Sequence, residues 1–413
     1  MKSKLLLLTS LFFINSIIIA QNTNTGTEAG NAGANNSAFG YYAGNLVTGN
    51  FNSFVGYYSG YFNNSGEFNS FFGANSGYNN RTGKDNAFFG YKAGYSNFNG
   101  SKNVFIGREA GFQNLSGLQN VFAGYKSGWS NTSGGNNTFY GDKSGYANRG
   151  GRENVFTGHE AGQSNTEGIR NVFVGSEAGS NNQTGTNNIY IGYHSGWTNK
   201  FGSYNVFTGD DSGLENLGNG NVFSGRQSGY YNSTGNYNVF LGYKAGYTNV
   251  TGSNNVFIGY TAGHNEKGSN RLYIDNSQTA TPLIYGKFDT DQLGINTDKI
   301  PTGYTMAVKG KFISDEIKVQ TYANWPDFVF KKEYSLPSLK EVENYIQTNG
   351  HLPNIPSAAD VSENGILLGE MNARLLQKIE ELTLYTIEQQ KKIEEQNKVM
   401  GTLSERLTAL EIK

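Results

Sequence analysis

The sequence predicts a mostly β chain: a parallel β-solenoid, or β-roll, of fourteen 17-residue repeats, followed by a β-rich neck and a C-terminal α-helical coiled coil. Two observations carry the solenoid. A motif of the form N-V-F-x-G recurs with its glycine at Gly40, Gly56, Gly73, Gly90, Gly107, Gly124, Gly141, Gly158, Gly175, Gly192, Gly209, Gly225, Gly242 and Gly259, and eleven of the thirteen spacings are 17 while two are 16. A fixed short period marks coils that stack only on their neighbours. Within each copy, counted from that origin glycine, the same residue types return at the same offsets. A third observation, apolar residues in heptad spacing after Leu367, carries the coiled coil.

At the N-terminus, Lys2 and Lys4 precede an apolar run from Leu5 to Ala20, and Ala20 before Gln21 fits a cleavage site. Residues 1–20 therefore read as a secretory signal, with an uncleaved membrane anchor as the alternative. No later apolar stretch approaches the ~20 residues needed to span a bilayer. The expected product is exported, at the cell surface, extracellular or periplasmic. Residues 21–35 are small and polar and read as a flexible lead-in.

The repeats occupy residues 36–268. Asn stands four before the origin in every copy, from Asn36 to Asn255, and an aromatic two before it in all but the first, which has Ala38. Ala or Ser stands three after, Gly four after, and Asn seven after from Asn63 to Asn249. Alternation along a strand sends the aromatic to one face and its neighbours, such as Val104 and Ile106, to the other. Stacked at ~4.8 Å, the aromatics form an internal ladder, and fourteen coils span roughly 65 Å. A 17-residue coil has room for two strands of about four residues and two turns. Ala or Ser is then expected on the second strand, opposite the aromatic. The glycines and the second Asn are expected at positive φ, and the first Asn in an amide ladder. The outer face, with Val121, Val155, Val172 and Ile189 among others, is a long apolar stripe that needs cover. It meets other chains, or a wider coil buries it within one chain.

N-V-F-I-G followed by a small residue and glycine resembles the head repeats of trimeric autotransporter adhesins, over about 233 residues. The resemblance implies a trimer of parallel β-rolls that binds host matrix or surface glycans. The period differs, Phe replaces a small residue, and the C-terminus has no membrane β-barrel pattern, so export and anchoring do not carry over.

Residues 269–324 form the neck, with β-like runs at Arg271–Asp275, Leu283–Phe288, Leu293–Asn296 and Tyr304–Val319. Residues 325–366 hold five of the six prolines and one helix candidate, Ser338–Thr348, between Pro337 and Gly350. This small α/β assembly module resembles C-terminal modules of tail-fibre-like proteins and the intramolecular chaperone domains of phage tail spikes. That resemblance raises self-cleavage at Ser314-Asp315, where the basic residues that should follow are replaced by Glu316-Ile317. Residues 367–413 read as one helix whose seam is Leu368, Leu375, Ile379, Leu382, Ile393, Met400, Leu403, Leu407 and Leu410, interrupted by Asn372, Thr386, Gln389 and Gln396. Such polar interruptions set register. The seam is expected to oligomerise the chain, and the head resemblance favours a homotrimer.

Catalytic chemistry is hard to place. The chain has no cysteine, which excludes disulfides, cysteine–zinc sites and a lipoprotein anchor. A net charge of -1 offers no field for nucleic acid. The four histidines fall at non-equivalent positions, and Asp289 and Asp291 lack the further ligands of a calcium loop. No catalytic residue, cofactor or metal site is expected. The strongest binding candidates are aromatics five after the origin: Tyr61, Tyr78, Tyr95, Phe112, Trp129, Tyr146, Trp197, Tyr230 and Tyr247. Such residues suit a glycan or a host or neighbouring cell-surface protein; the plainer alternative is packing along the rod edge. The expected function is an exported fibre or adhesin. The alternatives are a tail-spike-like polysaccharide depolymerase and a non-binding envelope scaffold.

Overall fold

The computed structural model describes residues 22–30, 33–320 and 325–411; the expected signal at 1–20 lies outside them. The chain divides into two compact units, up to Lys311 and from Phe312 onward.

The first unit is a parallel β-solenoid. Strands β1 (Asn22–Thr25) and β2 (Asn36–Phe39) lead into three-residue strands from β3 (Ser53–Val55) to β15 (Val256–Ile258). Each pairs in parallel and in register with the next, so that Phe105 stands against Phe122 and Phe139 against Phe156. Residues 22–25 thus extend the sheet into the segment expected to be a flexible lead-in, with Asn22 opposite Asn36.

The aromatic two before each origin glycine is fully buried, from Phe54 to Phe257. Through the middle of the rod the rings stack almost parallel: Phe139–Phe156 and Phe156–Phe173 have centroids 4.8 Å apart, tilted by 4° and 6°. The spacing equals the distance between paired strands, so in-register pairing itself sets the stack. Tyr190 takes one place in it at 4.8 Å from Phe173 and 4.9 Å from Phe207. Its hydroxyl is buried without a hydrogen-bond partner, and burial pushes the phenol pKa up, offset only in part by nearby Asn205. Tyr190→Phe is expected to stabilise the solenoid by about 1 kcal/mol, because a desolvated hydroxyl is removed at constant shape. Urea denaturation would check it, and a loss of stability would show that the hydroxyl is satisfied.

The far side of the coil departs from expectation. There is one strand per coil, not two; the return path is a pair of successive turns, as in Gly56–Ser59 and Gly60–Asn63, whose ends are bonded Ser59 N–H to Gly56 O (3.2 Å) and Asn63 N–H to Gly60 O (3.0 Å). What lies on the ring is the glycine four after the origin, not the Ala or Ser before it. A Cβ on Gly162, at φ 58°, would lie 2.6 Å from the Phe156 ring. The small residue instead fills the space beside it, and where it is Ser its hydroxyl donates to the next coil, as Ser144 Oγ does to Phe156 O at 3.1 Å, except at Ser228, which donates to Gly225 O in its own coil at 2.9 Å.

Two amide ladders run through the interior. The Asn four before the origin accepts the backbone N–H of its successor and donates to a glycine carbonyl: Asn120 N–H to Asn103 Oδ1 at 3.0 Å, Asn120 Nδ2 to Gly134 O at 2.8 Å. The Asn seven after the origin is also buried and bonds its copies, as Asn114 Nδ2 does to Asn97 Oδ1 at 2.6 Å. It does not supply the positive-φ turn expected of it. That conformation falls instead on the residue two after the origin, such as Glu160 (φ 54°) and Glu177 (φ 56°), and on the residue before the first Asn, such as Phe68 (φ 59°). Repetition satisfies most of the polar interior, since an amide finds its donor or acceptor one coil away. The second ladder reverses direction between Asn182, which donates to Asn165 Oδ1, and Asn199, which donates to Asn216 Oδ1, and the Oδ1 atoms of Asn182 and Asn199 are left buried without a partner.

The stack ends in a change of direction. After β16 (Arg271–Ile274), which is parallel to β15, β17 (Ile284–Lys287) and β18 (Gln292–Ile295) run antiparallel, and β19 (Met306–Val308) pairs in parallel with β18. The last expected run, Tyr304–Val319, keeps only this short strand. Tyr273 turns edge-on to Phe257 at 82°, and Tyr285 edge-on to Tyr273 at 90°, which closes the end of the ring stack. Tyr273 Oη donates to Glu266 Oε2 at 2.8 Å.

In the second unit, a 3-10 turn at Asp327–Phe330 precedes helices α1 (Leu339–Asn349), α2 (Ala358–Asn364) and α3 (Leu368–Glu411). Ser338 with Glu341, and Ser357 with Asp360, form capping boxes, and Gly350 ends α1 in the left-handed conformation. The start of α3 is tied to the preceding segment. Tyr334 Oη bonds Glu381, Lys378 Nζ lies 2.8 Å from the same carboxylate, and Tyr385 Oη donates to Pro337 O. From Thr386 to Glu411 every residue of α3 is exposed. No described helix is long and apolar enough to cross a membrane.

Candidate functional site

In-register stacking turns each repeat position into a column, and the column five after the origin is the aromatic edge. Tyr61, Tyr78, Tyr95, Phe112, Trp129 and Tyr146 form one continuous stack, with centroids 5.5, 5.0, 5.1, 5.3 and 5.4 Å apart and tilts of 12° or less. Gln163 and Ser180 interrupt it. Trp197 stands apart from the stack, its Nε1 donating to Glu177 Oε2 at 3.2 Å. Tyr247 stacks on His264 at 5.1 Å, and Tyr230 lies 5.3 Å from Tyr247, tilted by 32°. Burial, then a hydrogen bond with Tyr231, pushes the Tyr247 phenol up to about 12.

This geometry limits what the edge does. A sugar ring stacks on an open aromatic face, and from Tyr78 to Trp129 both faces of each ring are covered by the neighbouring rings. The edge therefore presents ring rims and phenol hydroxyls. The tyrosines next to the origin are more exposed, but cations cover several of them. The Arg108 guanidinium lies 5.8 Å from the Tyr91 ring and 5.7 Å from the Tyr125 ring, and Lys244 Nζ lies 5.4 Å from Tyr243 and also 5.0 Å from Tyr247 in the column five after the origin. Such an arrangement suits hydrogen bonding and charge pairing with a protein or polar surface.

The column two after the origin was not singled out from the sequence, and it carries charge. Lys126 pairs with Glu109 at 3.7 Å and Lys143 with Glu160 at 2.7 Å; that lysine is the main reason the Glu160 carboxyl is held below the usual range. Further along, His194 lies 3.3 Å from Glu177 and 3.6 Å from Asp211. Aligning the copies by their origin glycine puts Glu160, Glu177, His194 and Asp211 in one column, a signal already present in the sequence.

The outer face of the sheet is a second candidate surface. Ile106, Val121, Val155 and Ile189 are exposed, and Tyr140 retains 64% of its surface, so the coil buries one face only. The seam residues of α3 are likewise uncovered, from Leu368 and Leu375 to Leu407 and Leu410. Beside the docked start of α3, Leu375, Ile379 and Leu382 line an apolar groove of about 500 Å³ with Val342 and Leu352. Ser314 and Asp315 lie exposed in a stretch without helix or strand, and Asp289 is engaged by Arg271 at 3.1 Å. Compared with known protein families, curated proteins and solved structures, the chain has no match.

Proposed function

We propose that this chain is an exported structural fibre that acts as an adhesin: a homotrimer of solenoid rods, fourteen repeats each, gathered by a coiled coil formed from α3. The observation that carries the reading is the unbroken register of the coils from β2 to β15. Among the described residues the coils share the same pair of turns, and no inserted loop gathers acidic groups into a cleft of the kind a depolymerase uses. A surface that repeats at each coil favours many weak contacts over one strong one, which suits attachment to a cell surface through multivalency. The trimer is supported by the exposed seam of α3 and the exposed outer face of the sheet, two apolar surfaces that water does not favour leaving open.

The non-binding envelope scaffold is the second reading, and the covered ring faces of Tyr78 to Trp129 favour it. The test is binding of residues 21–413 to glycan arrays and to intact cells, with Trp197→Ala and Tyr247→Ala alongside. An adhesin is expected to bind, and to lose about tenfold or more with these aromatic truncations. Absence of binding to both targets would favour the scaffold.

A further inference from the structure

The cations along the column two after the origin thin out where the acids accumulate. Glu109 and Glu160 each have a lysine at hand, Lys126 and Lys143. Among the described residues, Glu177 and Asp211 have no lysine or arginine partner; a histidine, His194, takes that place between them. Two coils before His194, and one before Glu177, a second imidazole, His159, stands 3.8 Å from Glu160. The donor atoms of His159, Glu160 and Glu177 all lie within 4.8 Å of one another.

We propose that His159, Glu160 and Glu177 bind a divalent transition metal of the zinc class, stapling two successive coils at the rod edge. The backbone makes the juxtaposition: Glu177 N–H donates to His159 O at 2.8 Å, which holds the two coils side by side at this point. The donor set is one imidazole and two carboxylates, a set that zinc takes in open sites with water completing the shell. Calcium and magnesium, which take oxygen donors, would leave the imidazole unused. Tetrahedral donors at ~2.0 Å from zinc lie ~3.3 Å apart, so closure needs side-chain movements of about an ångström, open to these partly exposed groups. Glu177 is already oriented from behind. Trp197 Nε1 donates to its Oε2 at 3.2 Å, and His194 Nε2 approaches the same oxygen at 3.3 Å. Outer hydrogen bonds of this kind fix the angle of a ligating carboxylate. Lys143 Nζ and His159 Nε2 both lie against Oε1 of Glu160, at 2.7 and 3.8 Å, so the ion either takes that oxygen from the lysine or binds Oε2.

The proposed ligands are not among the aromatics of the adhesive reading; the two share only Trp197, which the zinc test leaves unchanged. The test uses residues 21–413, stripped with a chelator and titrated with zinc chloride against a chromophoric competitor, then with cobalt(II) for its visible spectrum. One zinc per chain is expected, with the affinity falling about tenfold or more in His159→Ala and in the near-isosteric Glu177→Gln. His264→Ala, whose imidazole lies outside the cluster, is expected to bind like the parent. The cobalt absorption should change in His159→Ala and not in His264→Ala. Absence of zinc binding, parental affinity in both cluster variants, or equal losses in His264→Ala would overturn the proposal. Far-ultraviolet circular dichroism of each variant shows that the solenoid is retained; should His159→Ala unfold, Glu177→Gln, which keeps the shape, decides alone.

Discussion

Phe156→Ala is expected to cost about 3–5 kcal/mol and to divide the unfolding of the solenoid into two transitions. The ring is fully buried, stacked at 4.8 Å on both Phe139 and Phe173, and pressed from the far side by Gly162. Its loss leaves a ring-sized void that the neighbours cannot fill. Their positions are set by strand pairing, and the backbone at Gly162 is held by its hydrogen bond to Ala178 O at 3.0 Å. In a stack where each coil touches only the coils beside it, the damage weakens two interfaces and leaves the others intact. Urea denaturation should then show the segments on either side of coil 156 melting separately, and hydrogen exchange should place the fast-opening amides around residues 139–178. A cost below about 1 kcal/mol would mean that the amide ladders, not the rings, hold the coils together.

The second large effect concerns α3. Placing aspartate at both Ile393 and Leu403 is expected to convert the assembly to monomers and to melt the helix beyond Thr386, while leaving the solenoid folded. Among the described residues, Thr386 to Glu411 are exposed throughout, over ~39 Å of helix. A lone helix of this composition is marginal in water, because nucleation is costly and its apolar stripe gains nothing without a partner. Ile393 retains 49% of its surface and Leu410 72%, so the seam is open along its whole free length. Two carboxylates in that seam would have to be desolvated without partners on assembly. Sedimentation equilibrium should give a trimer for residues 21–413 and a monomer for the double variant, with a loss of helical circular dichroism. A parent chain that is monomeric with its helix intact would remove the assembly reading.

Much of this was legible residue by residue. Alternation in N-V-F-x-G predicts the buried ring and the exposed Val or Ile, and the structure shows Phe105 buried between Val104 and Ile106, with Ile106 exposed. The helix α1 lies within one residue of its expected bounds, because Ser338 and Gly350 are local start and stop signals. The return path was misjudged. A strand was expected because Ala or Ser opposite Phe fills a thin core, but Gly162 at φ 58° puts its own backbone against the ring and pulls the chain into turns. At the candidate site, the aromatics of Tyr61 to Tyr146 were identifiable as a series, but not that each would cover the next one's face. His159 and Glu177 looked unrelated, being 18 positions apart at different offsets.

By itself, the sequence determined the period, the face each strand residue takes and the places where α1 and α3 start; α2, with its own capping box at Ser357 and Asp360, was missed. These depend on contacts within a few residues of chain, and fourteen copies repeat the same vote. Only the tertiary structure decided what lies across the coil from the ring, how the stack ends at Tyr273 and Tyr285, and which charged groups become neighbours. Those outcomes depend on the ~4.8 Å spacing and exact register of stacked coils. That spacing makes residues 16 or 17 positions apart adjacent, and it brings imidazoles and carboxylates together at one edge of the rod.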